Sequence, residues 1–271
     1  MQHSELYRFT IGRIARLSFV ISLAVIFFIL DGNCQEARDT NVQPQNLDIY
    51  LVIGQSNMAG RAQIELQDQD TLEGVFLFKG EKGDEWEKAA NPLNKYSTIR
   101  KDISMQRLGP GYTFARNMAA ASKNQIGLVV NAKGGTSINL WSPGSDFYNE
   151  AVKRTKAVLK FGSLKGIIWH QGESDASKYA TYANQIIMLM EALRKEFDQP
   201  NLPVVVGQLS PDKEHRIPFN EMIIKLPNKI KNVAVARTDG TSTFDSTHFD
   251  SKSQRLLGER YAKEMMMLLD K

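Results

Sequence analysis

The amino-acid sequence predicts an α/β fold with a central parallel sheet and helices on both of its faces. Short apolar runs alternate with longer segments whose apolar residues recur at helical spacing, a pattern typical of parallel sheets crossed by helices. The apolar runs also lack the polar alternation of half-exposed strands, which indicates strands buried on both faces. Residues 47–271 are long enough for one such domain with a full core.

Six apolar runs are predicted as strands. The first, residues 49–53 (IYLVI), is rich in β-branched and aromatic residues and breaks at Gly54. The other predicted strands are residues 75–78 (VFLF), 126–131 (IGLVVN), 166–169 (GIIW), 204–206 (VVV) and 233–236 (VAVA).

Four amphipathic segments are predicted as helices, at residues 112–122, 147–159, 179–197 and 254–269. In the third of them, Ile186, Met190 and Leu193 lie on one apolar stripe, as expected of a helix with one buried face. Residues 79–110 are instead rich in Gly, Asn, Pro and charged residues. We therefore predict a long surface loop there that frames a site.

The first 34 residues are predicted to be a secretory signal, followed by a linker at residues 35–46. Three arginines precede an apolar segment at residues 17–30, which is shorter than the about 20 residues of a membrane-spanning helix. Cys34, the one cysteine in the sequence, leaves three alternatives: lipidation at Cys34, cleavage nearby, or an uncleaved anchor. Asn33 stands where a small residue precedes a lipidated cysteine. The protein is predicted to be exported, to the periplasm, the cell surface or the medium.

The charge of the chain argues against a nucleic-acid partner. The formal net charge is +4, and no block of consecutive basic residues occurs. A membrane contact is predicted only through a lipid anchor at Cys34, and a single cysteine excludes an intramolecular disulfide.

A hydroxyl follows the first predicted strand directly. Ser56 lies in the turn GQSN (residues 54–57), at the carboxyl end of a central strand and the start of a helix. Ligands of open α/β sheets bind at that edge, and N–H groups at a helix start can stabilise an oxyanion. The alternative is a simple strand-to-helix turn in which Ser56 or Asn57 caps the helix.

Two further strands end in turns with small or amide side chains. The glycine pair Gly134 and Gly135 follows residues 126–131, and glycines let a ligand approach the backbone closely. This turn lacks the GK[ST] ending of a phosphate loop, so a plain tight turn is the main alternative. Gln171, after residues 166–169, can donate to a developing negative charge. Alternatively, His170 and Gln171 cap the next helix and Glu173 belongs to its acidic first turn.

Near the end of the chain, Asp245 and His248 are three residues apart, so one turn can bring the carboxylate to the imidazole. A carboxylate on one ring nitrogen leaves the other free to act as a base near neutral pH. His215 lies in a charged run and is predicted to be solvated, and His170 has no acid three residues before it.

Four sequence blocks together resemble those of the SGNH-type hydrolases, and more narrowly the branch of sialate O-acetylesterases and carbohydrate esterase family 6, which includes acetyl xylan esterases. The blocks are GQSNMAGR (residues 54–61), GGTSINLW (134–141), WHQGESD (169–175) and DSTHF (245–249), in the order of the family. The resemblance implies a single flavodoxin-like α/β/α domain over residues 47–271. It implies Ser56 as nucleophile, His248 as base and Asp245 as the acid that orients it.

The resemblance also implies an oxyanion hole and a small set of pocket residues. The hole maps onto the Ser56 N–H, a glycine N–H (Gly135 rather than Gly134) and the Gln171 side chain. The wider superfamily has Asn where this branch has Gln171. Pocket or supporting positions map onto Arg61, Trp141 and Glu173. Trp141, just after the glycine pair, is a candidate platform for a pyranose ring, although a lone Trp is more often part of a core.

These features predict a serine esterase that removes O-acetyl groups from carbohydrates, either acetylated sialic acid or a plant polysaccharide such as xylan, without a cofactor or metal. An α/β-hydrolase fits poorly, because its G-x-S-x-G elbow would need Gly where Met58 stands. A metal hydrolase fits poorly as well, because no His/Asp/Glu group has ligand spacing. The remaining alternative is a carbohydrate-binding protein that keeps the fold without turnover. The small polar turns predict a short acyl group, essentially acetyl.

Overall fold

The apolar runs assemble into one seven-stranded sheet in the computed structural model of the protein, which describes residues 43–80 and 85–270. The strands are β1 (Leu47–Gly54), β2 (Val75–Phe78), β3 (Trp86–Lys88), β4 (Ile126–Ala132), β5 (Gly162–His170), β6 (Val204–Gly207) and β7 (Val233–Ala236). Their order across the sheet is β3-β2-β4-β1-β5-β6-β7, and each neighbouring pair is parallel except β2 and β3. Without the β2–β3 hairpin, the remaining order is the flavodoxin-like one.

Helices cover both faces of the sheet. They are α1 (Ser56–Ala59), α2 (Gly111–Ala121), α3 (Asp146–Val158), α4 (Tyr179–Glu196), α5 (Ile217–Ile224) and α6 (Ser251–Leu269). Tyr50 and Val52 of β1 share one core with α2 and α6, whereas Ile49 and Leu51 share the other with α3, α4 and α5. Successive strand residues point to opposite faces, so the fully buried β1 supports both cores. The predicted α/β class with helices on both faces is confirmed.

The structure adds two elements to the predicted ones. β3 lies inside the segment predicted as loop and pairs antiparallel with β2 at the sheet edge. It has three residues, of which Trp86 is buried, too short a run to give a strand pattern. α5 follows a charged run and has Pro218 in its first turn, a position where proline is tolerated. β5 is also longer than predicted, because its first residues pair with the amino end of β1.

The predicted signal at residues 1–34, with Cys34, lies outside the described residues, as does most of the predicted linker. Within residues 43–80 and 85–270, no helix combines the length and apolar character needed to cross a bilayer.

β1 ends where the sheet reverses its strand order, between β4 and β5. Gly54 closes the strand with φ +144°, and a Cβ there would lie 2.2 Å from the backbone oxygen of His170. Glycine is therefore required at this position. The Gln55 N–H donates to the same oxygen at 2.8 Å, which directs the chain out of the sheet at the crevice where ligands of such folds bind.

Candidate active site

Ser56 begins α1 directly after β1, and its hydroxyl faces the base predicted from the sequence. The distance from Ser56 Oγ to His248 Nε2 is 3.0 Å. The residue is 5 % exposed, and no side chain caps α1 through a hydrogen bond, so the structure gives Ser56 no capping role. A hydroxyl held in this way is within reach of a base for proton transfer.

His248 is in turn held by Asp245. Its Nδ1 lies 2.6 Å from Asp245 Oδ2, while Oδ1 accepts the backbone N–H groups of His248 at 2.7 Å and Thr247 at 3.0 Å. The turn is closed by Ser246, whose φ of +62° is uncommon for a residue other than glycine. With a proton on Nδ1, the Nε2 lone pair faces the Ser56 hydroxyl.

The same hydrogen bonds keep Asp245 ionised. Burial acts to raise its pKa, but the hydrogen bonds from the His248 ring and from the two backbone N–H groups outweigh that effect, so the pKa of Asp245 lies below its ordinary value. Asp245 is therefore a carboxylate throughout the neutral range, as an orienting acid requires.

Asn57 joins the loop of the nucleophile to the loop of the base. Its Nδ2 donates to the backbone oxygen of Thr247 at 3.1 Å, and its Oδ1 accepts the backbone N–H of Phe249 at 3.1 Å. The amide thus binds the chain on both sides of His248. The second Nδ2 hydrogen is donated to Glu173 Oε1. From the sequence, Asn57 is expected only as a helix cap; its role here depends on contacts between distant segments, which no local pattern shows.

Glu173 and His170 lie beneath the side chain of Asn57, which we call the clamp because it binds the backbone on both sides of His248. The side chain of Glu173 is almost fully buried, and its Oε1 is 3.8 Å from Nε2 of the fully buried His170. His170 Nδ1 lies 3.0 Å from the Tyr261 hydroxyl, which itself donates to the Trp169 oxygen. Burial lowers the pKa of His170, and its position inside the fold excludes it as the base that serves the cleft.

The glycine pair lies against the nucleophile. A Cβ on Gly134 would be 3.2 Å from Ser56 Cβ and 2.6 Å from Arg61 Nη2, whereas Gly135 turns the chain with φ +72° and borders the same cleft. The backbone N–H groups of Ser56 and Gly135 have no hydrogen-bond acceptor among the described residues. Both are thus available for a ligand oxygen, in agreement with the predicted hole, although their catalytic role stays a prediction.

Gln171 lies below the cleft rather than on its surface. The side chain is fully buried, and its Nε2 faces Thr136 O at 2.8 Å, Asp175 Oδ2 at 2.6 Å and Gln55 Oε1 at 3.1 Å. An amide has two N–H donors, and these three acceptors occupy them. This geometry leaves no donor for an oxyanion and favours a role in joining the three loops. The predicted direct contact therefore finds no support in the side-chain contacts.

Replacement of Gln171 by alanine separates these two roles. We expect Gln171→Ala to lower the free energy of unfolding by about 1–3 kcal/mol, since buried acceptors lose their donor, and to lower kcat by on the order of 10²–10³ because the loops shift. Urea unfolding and acetate release measure the two effects. The control is Gln208→Ala, which removes another buried amide that contacts backbone groups and should lower stability alone. A loss of kcat with an unchanged urea midpoint would restore the direct oxyanion role.

Arg61 and Trp141 differ in their access to the cleft. Arg61 lines it, with Nη1 donating to the backbone oxygens of Gly60 at 2.7 Å and Met105 at 2.9 Å. Trp141 is fully buried and packs edge-on against Trp169. The interpretation of Trp141 as a sugar platform is wrong, because the indole belongs to the core beneath the glycine loop.

The cleft above Ser56 has a volume of about 370 Å³ and a basic rim. The basic residues that line it are Arg61, Lys101, Lys213, His215 and Arg216. Among its described lining residues the one acid is Glu173, which is buried and bound to Asn57. His215 is exposed, as predicted. Within residues 43–80 and 85–270, no three His, Cys, Asp or Glu side chains are grouped as a metal would require.

Comparison with known proteins agrees with the geometry. A family model described as carbohydrate esterase, sialic acid-specific acetylesterase, matches residues 46–267. A probable carbohydrate esterase of Arabidopsis thaliana, At4g34215, is 29% identical over 230 residues, which cover 78% of this chain and 86% of that protein. The X-ray structure of the Arabidopsis protein has a TM-score of 0.75 at 28% identity, covering 83% of this chain and 99% of that one.

Two further solved structures share the fold at lower identity. NanS has a TM-score of 0.65 at 15% identity, covering 83% of this chain and 98% of its own. XAC1771 of Xanthomonas citri, described as a carbohydrate acetylesterase, has a TM-score of 0.63 at 21% identity, covering 82% of this chain and 57% of its own.

Proposed function

The chain belongs to the sialic acid-specific acetylesterase family of carbohydrate esterases and is a carbohydrate O-acetylesterase, and we propose that Ser56, His248 and Asp245 carry out its reaction. The observation behind this proposal is the continuous hydrogen-bonded chain from Ser56 Oγ through the His248 ring to Asp245. Such a chain has the arrangement of a nucleophile, a base and an orienting acid.

The reaction then has two halves. In the first, His248 Nε2 takes the Ser56 proton as Oγ attacks the acetyl carbonyl, and the tetrahedral intermediate collapses as the imidazolium gives that proton to the leaving sugar oxygen, which departs as a hydroxyl. In the second, His248 removes a proton from water, which attacks the acetyl-enzyme and releases acetate while Ser56 recovers its proton. Asp245 stabilises the imidazolium in both halves and remains a carboxylate.

The oxyanion formed in each half is proposed to bind the backbone N–H groups of Ser56 and Gly135. Both groups lack an internal acceptor and border the cleft. Donors fixed by the backbone need no reorganisation as charge develops, which is the property that makes such holes effective. Gln171 supports the loops that carry them.

The alternative from the sequence analysis, a binding protein without turnover, is disfavoured by this geometry. A protein without turnover has no need to keep the Ser56 hydroxyl 3.0 Å from His248 Nε2 or to hold Asp245 ionised. Acetate release from an acetylated sugar decides between the two. Binding without any release by the wild type would sustain the alternative.

The acyl side is expected to accept acetyl in preference to longer chains. Apart from Met105, the residues that line the cleft next to Ser56 are glycine, polar or charged, so the cleft offers little of the apolar surface that would repay a long chain at about 0.8 kcal/mol per buried CH₂. We expect kcat/KM to fall from p-nitrophenyl acetate through butyrate to octanoate. A value that rises with chain length, with no acetate freed from acetylated sugars, would indicate a lipase-like enzyme.

On the alcohol side, the charge of the cleft favours acetylated sialic acid over acetylated xylan. Lys101 and Lys213 border the cleft without an ion pair to any described residue. A sugar carboxylate would complement their charge, whereas a neutral xylose would leave both lysines without a charged partner. Acetate release from the two substrates at equal ester concentration tests this preference. A higher kcat/KM on xylan would reverse it.

Export of the enzyme remains a proposal based on the basic and apolar pattern of residues 8–30. Secretion would bring the enzyme to acetylated glycans outside the cytoplasm. We expect the protein recovered from its natural host to be lighter than the 30.5 kDa full chain by the mass of the signal. An intact-mass measurement that finds the full chain in the cytoplasm would exclude export.

A further inference from the structure

A second cavity adjoins the cleft, and the mechanism makes no use of it. It has a volume of about 480 Å³ and shares Arg61 with the cleft. We call it the side groove and define it by its lining residues, which are Arg61, Gln63, Glu65, Arg107, Phe244, Asp250, Ser251 and Lys252. A ligand that extends beyond the cleft past Arg61 enters this groove.

The charges of the side groove favour an anion. Its two acids are already bound: Glu65 pairs with Arg255 at 2.8 Å, and Asp250 accepts the Ser253 N–H at 2.8 Å and the Ser242 hydroxyl.

The cations of the side groove, unlike Glu65, are not held by close ion pairs among the described residues. Arg107 and Lys252 are exposed and form no ion pair within 4 Å in the part of the chain that the structure describes. The guanidinium of Arg61 binds only backbone oxygens there. Lys252 also interacts electrostatically with Asp250, so Arg61 and Arg107 are the cations left for a negatively charged ligand, with Lys252 shared between that ligand and Asp250.

Phe244 supplies an apolar platform at the wall between the groove and the site. Its residue is 57 % exposed, and its ring stacks on the His248 ring with centroids 5.9 Å apart and planes 23° apart. The Phe244 N–H donates to His248 O at 3.0 Å, and the neighbouring Thr243 bridges to Phe249. The platform is therefore fixed by backbone bonds, and its other face is open to a ligand. Rigid aromatic side chains of this kind anchor ligands at low entropic cost.

We propose that the side groove is a second sugar subsite, which binds a carboxylate-bearing unit next to the acetylated sugar of an acidic oligosaccharide. The pyranose ring lies on Phe244, and the carboxylate faces Arg107 and Lys252. This inference rests on the proposed function, because it takes the acetylated unit to lie over Ser56. The preferred substrate is then an oligomer with repeated negative charge rather than a single sugar.

Binding of unacetylated oligosaccharides tests the subsite separately from the reaction, since no ester is present. The probes are tetragalacturonate and a tetramer of sialic acid, with xylotetraose as the neutral counterpart, titrated calorimetrically into the full protein at low and moderate salt. We expect at least one acidic tetramer to bind at least about tenfold more tightly than xylotetraose, with an affinity that falls as salt rises.

Matched variants locate the binding. Phe244→Ala should weaken the binding of that acidic tetramer about tenfold, and the double variant Arg107→Gln/Lys252→Gln about fivefold or more. Met188→Ala, at an equally exposed apolar side chain of α4 (59 %), and Lys263→Gln, at an exposed lysine further along α6, are the controls and should bind as the wild type does. Equal affinity for neutral and acidic tetramers, absence of binding by both acidic probes, or losses no larger than in the controls would each overturn the subsite. Failure of the proposed function would instead appear as a lack of acetate release.

Discussion

Ser56→Ala is expected to lower kcat for acetyl ester hydrolysis by about 10⁵–10⁶-fold. The hydroxyl supplies the atom that forms the acyl-enzyme, and no other hydroxyl lies 3.0 Å from His248 Nε2 among the described residues. Its one side-chain hydrogen bond is that with His248. Its removal therefore leaves no buried group unsatisfied, and we expect the free energy of unfolding to change by no more than about 1.5 kcal/mol, the contribution of one hydrogen bond.

Acetate release and urea unfolding, measured on the same preparation, check both halves of this expectation. The control is Ser122→Ala, at a serine that bonds to Asp48 at the opposite end of β1, and its kcat should equal that of the wild type. A Ser56→Ala enzyme with wild-type activity would remove Ser56 from the reaction. A fully unfolded variant would show that the hydroxyl is structural, and a cysteine at the same position would then be the variant to assay.

The sequence was sufficient for most of the fold, because the buried strands are also its most apolar segments. β1, β4 and the second half of β5 are covered on both faces, so each is a mainly apolar run that can be predicted without knowledge of its neighbours. β3 has a single buried residue, and its pairing with β2 follows from the hairpin rather than from its own composition. The antiparallel edge could not be predicted from such a short segment.

The active site likewise contains residues that the sequence predicts and residues whose position only the fold determines. Ser56, Asp245 and His248 could be proposed from the sequence because a hydroxyl after a strand, and an acid one turn before an imidazole, occur within the four blocks that resemble a known family. Whether Trp141 and Gln171 reach the cleft depends instead on which side of its loop each side chain lies. The positions after a strand do not determine this, and both side chains are buried in the structure.

The role of Asn57 could not be predicted from local sequence, because its two backbone partners, Thr247 and Phe249, lie about 190 residues away in the chain. No local pattern links the segments. In the fold, the amide next to the nucleophile holds the chain on both sides of the base, which fixes the distance between Ser56 and His248. We infer that Asn57 is a positioning residue that acts through His248.

Asn57→Ala should therefore lower kcat by on the order of 10²–10³ with KM within about threefold, since a displacement of about 1 Å of the base is enough for such a loss. It should also lower the free energy of unfolding by about 1–3 kcal/mol, because the Phe249 N–H and Glu173 lose a buried partner. The matched control is Asn220→Ala. The amide of Asn220 binds both the N–H and the oxygen of Leu209 at 2.8 Å, away from the base. This variant should lose comparable stability and keep kcat within about threefold. If Asn220→Ala lost as much kcat as Asn57→Ala, destabilisation alone would explain both losses. If Asn57→Ala kept its kcat, the Asn57 amide would not position His248.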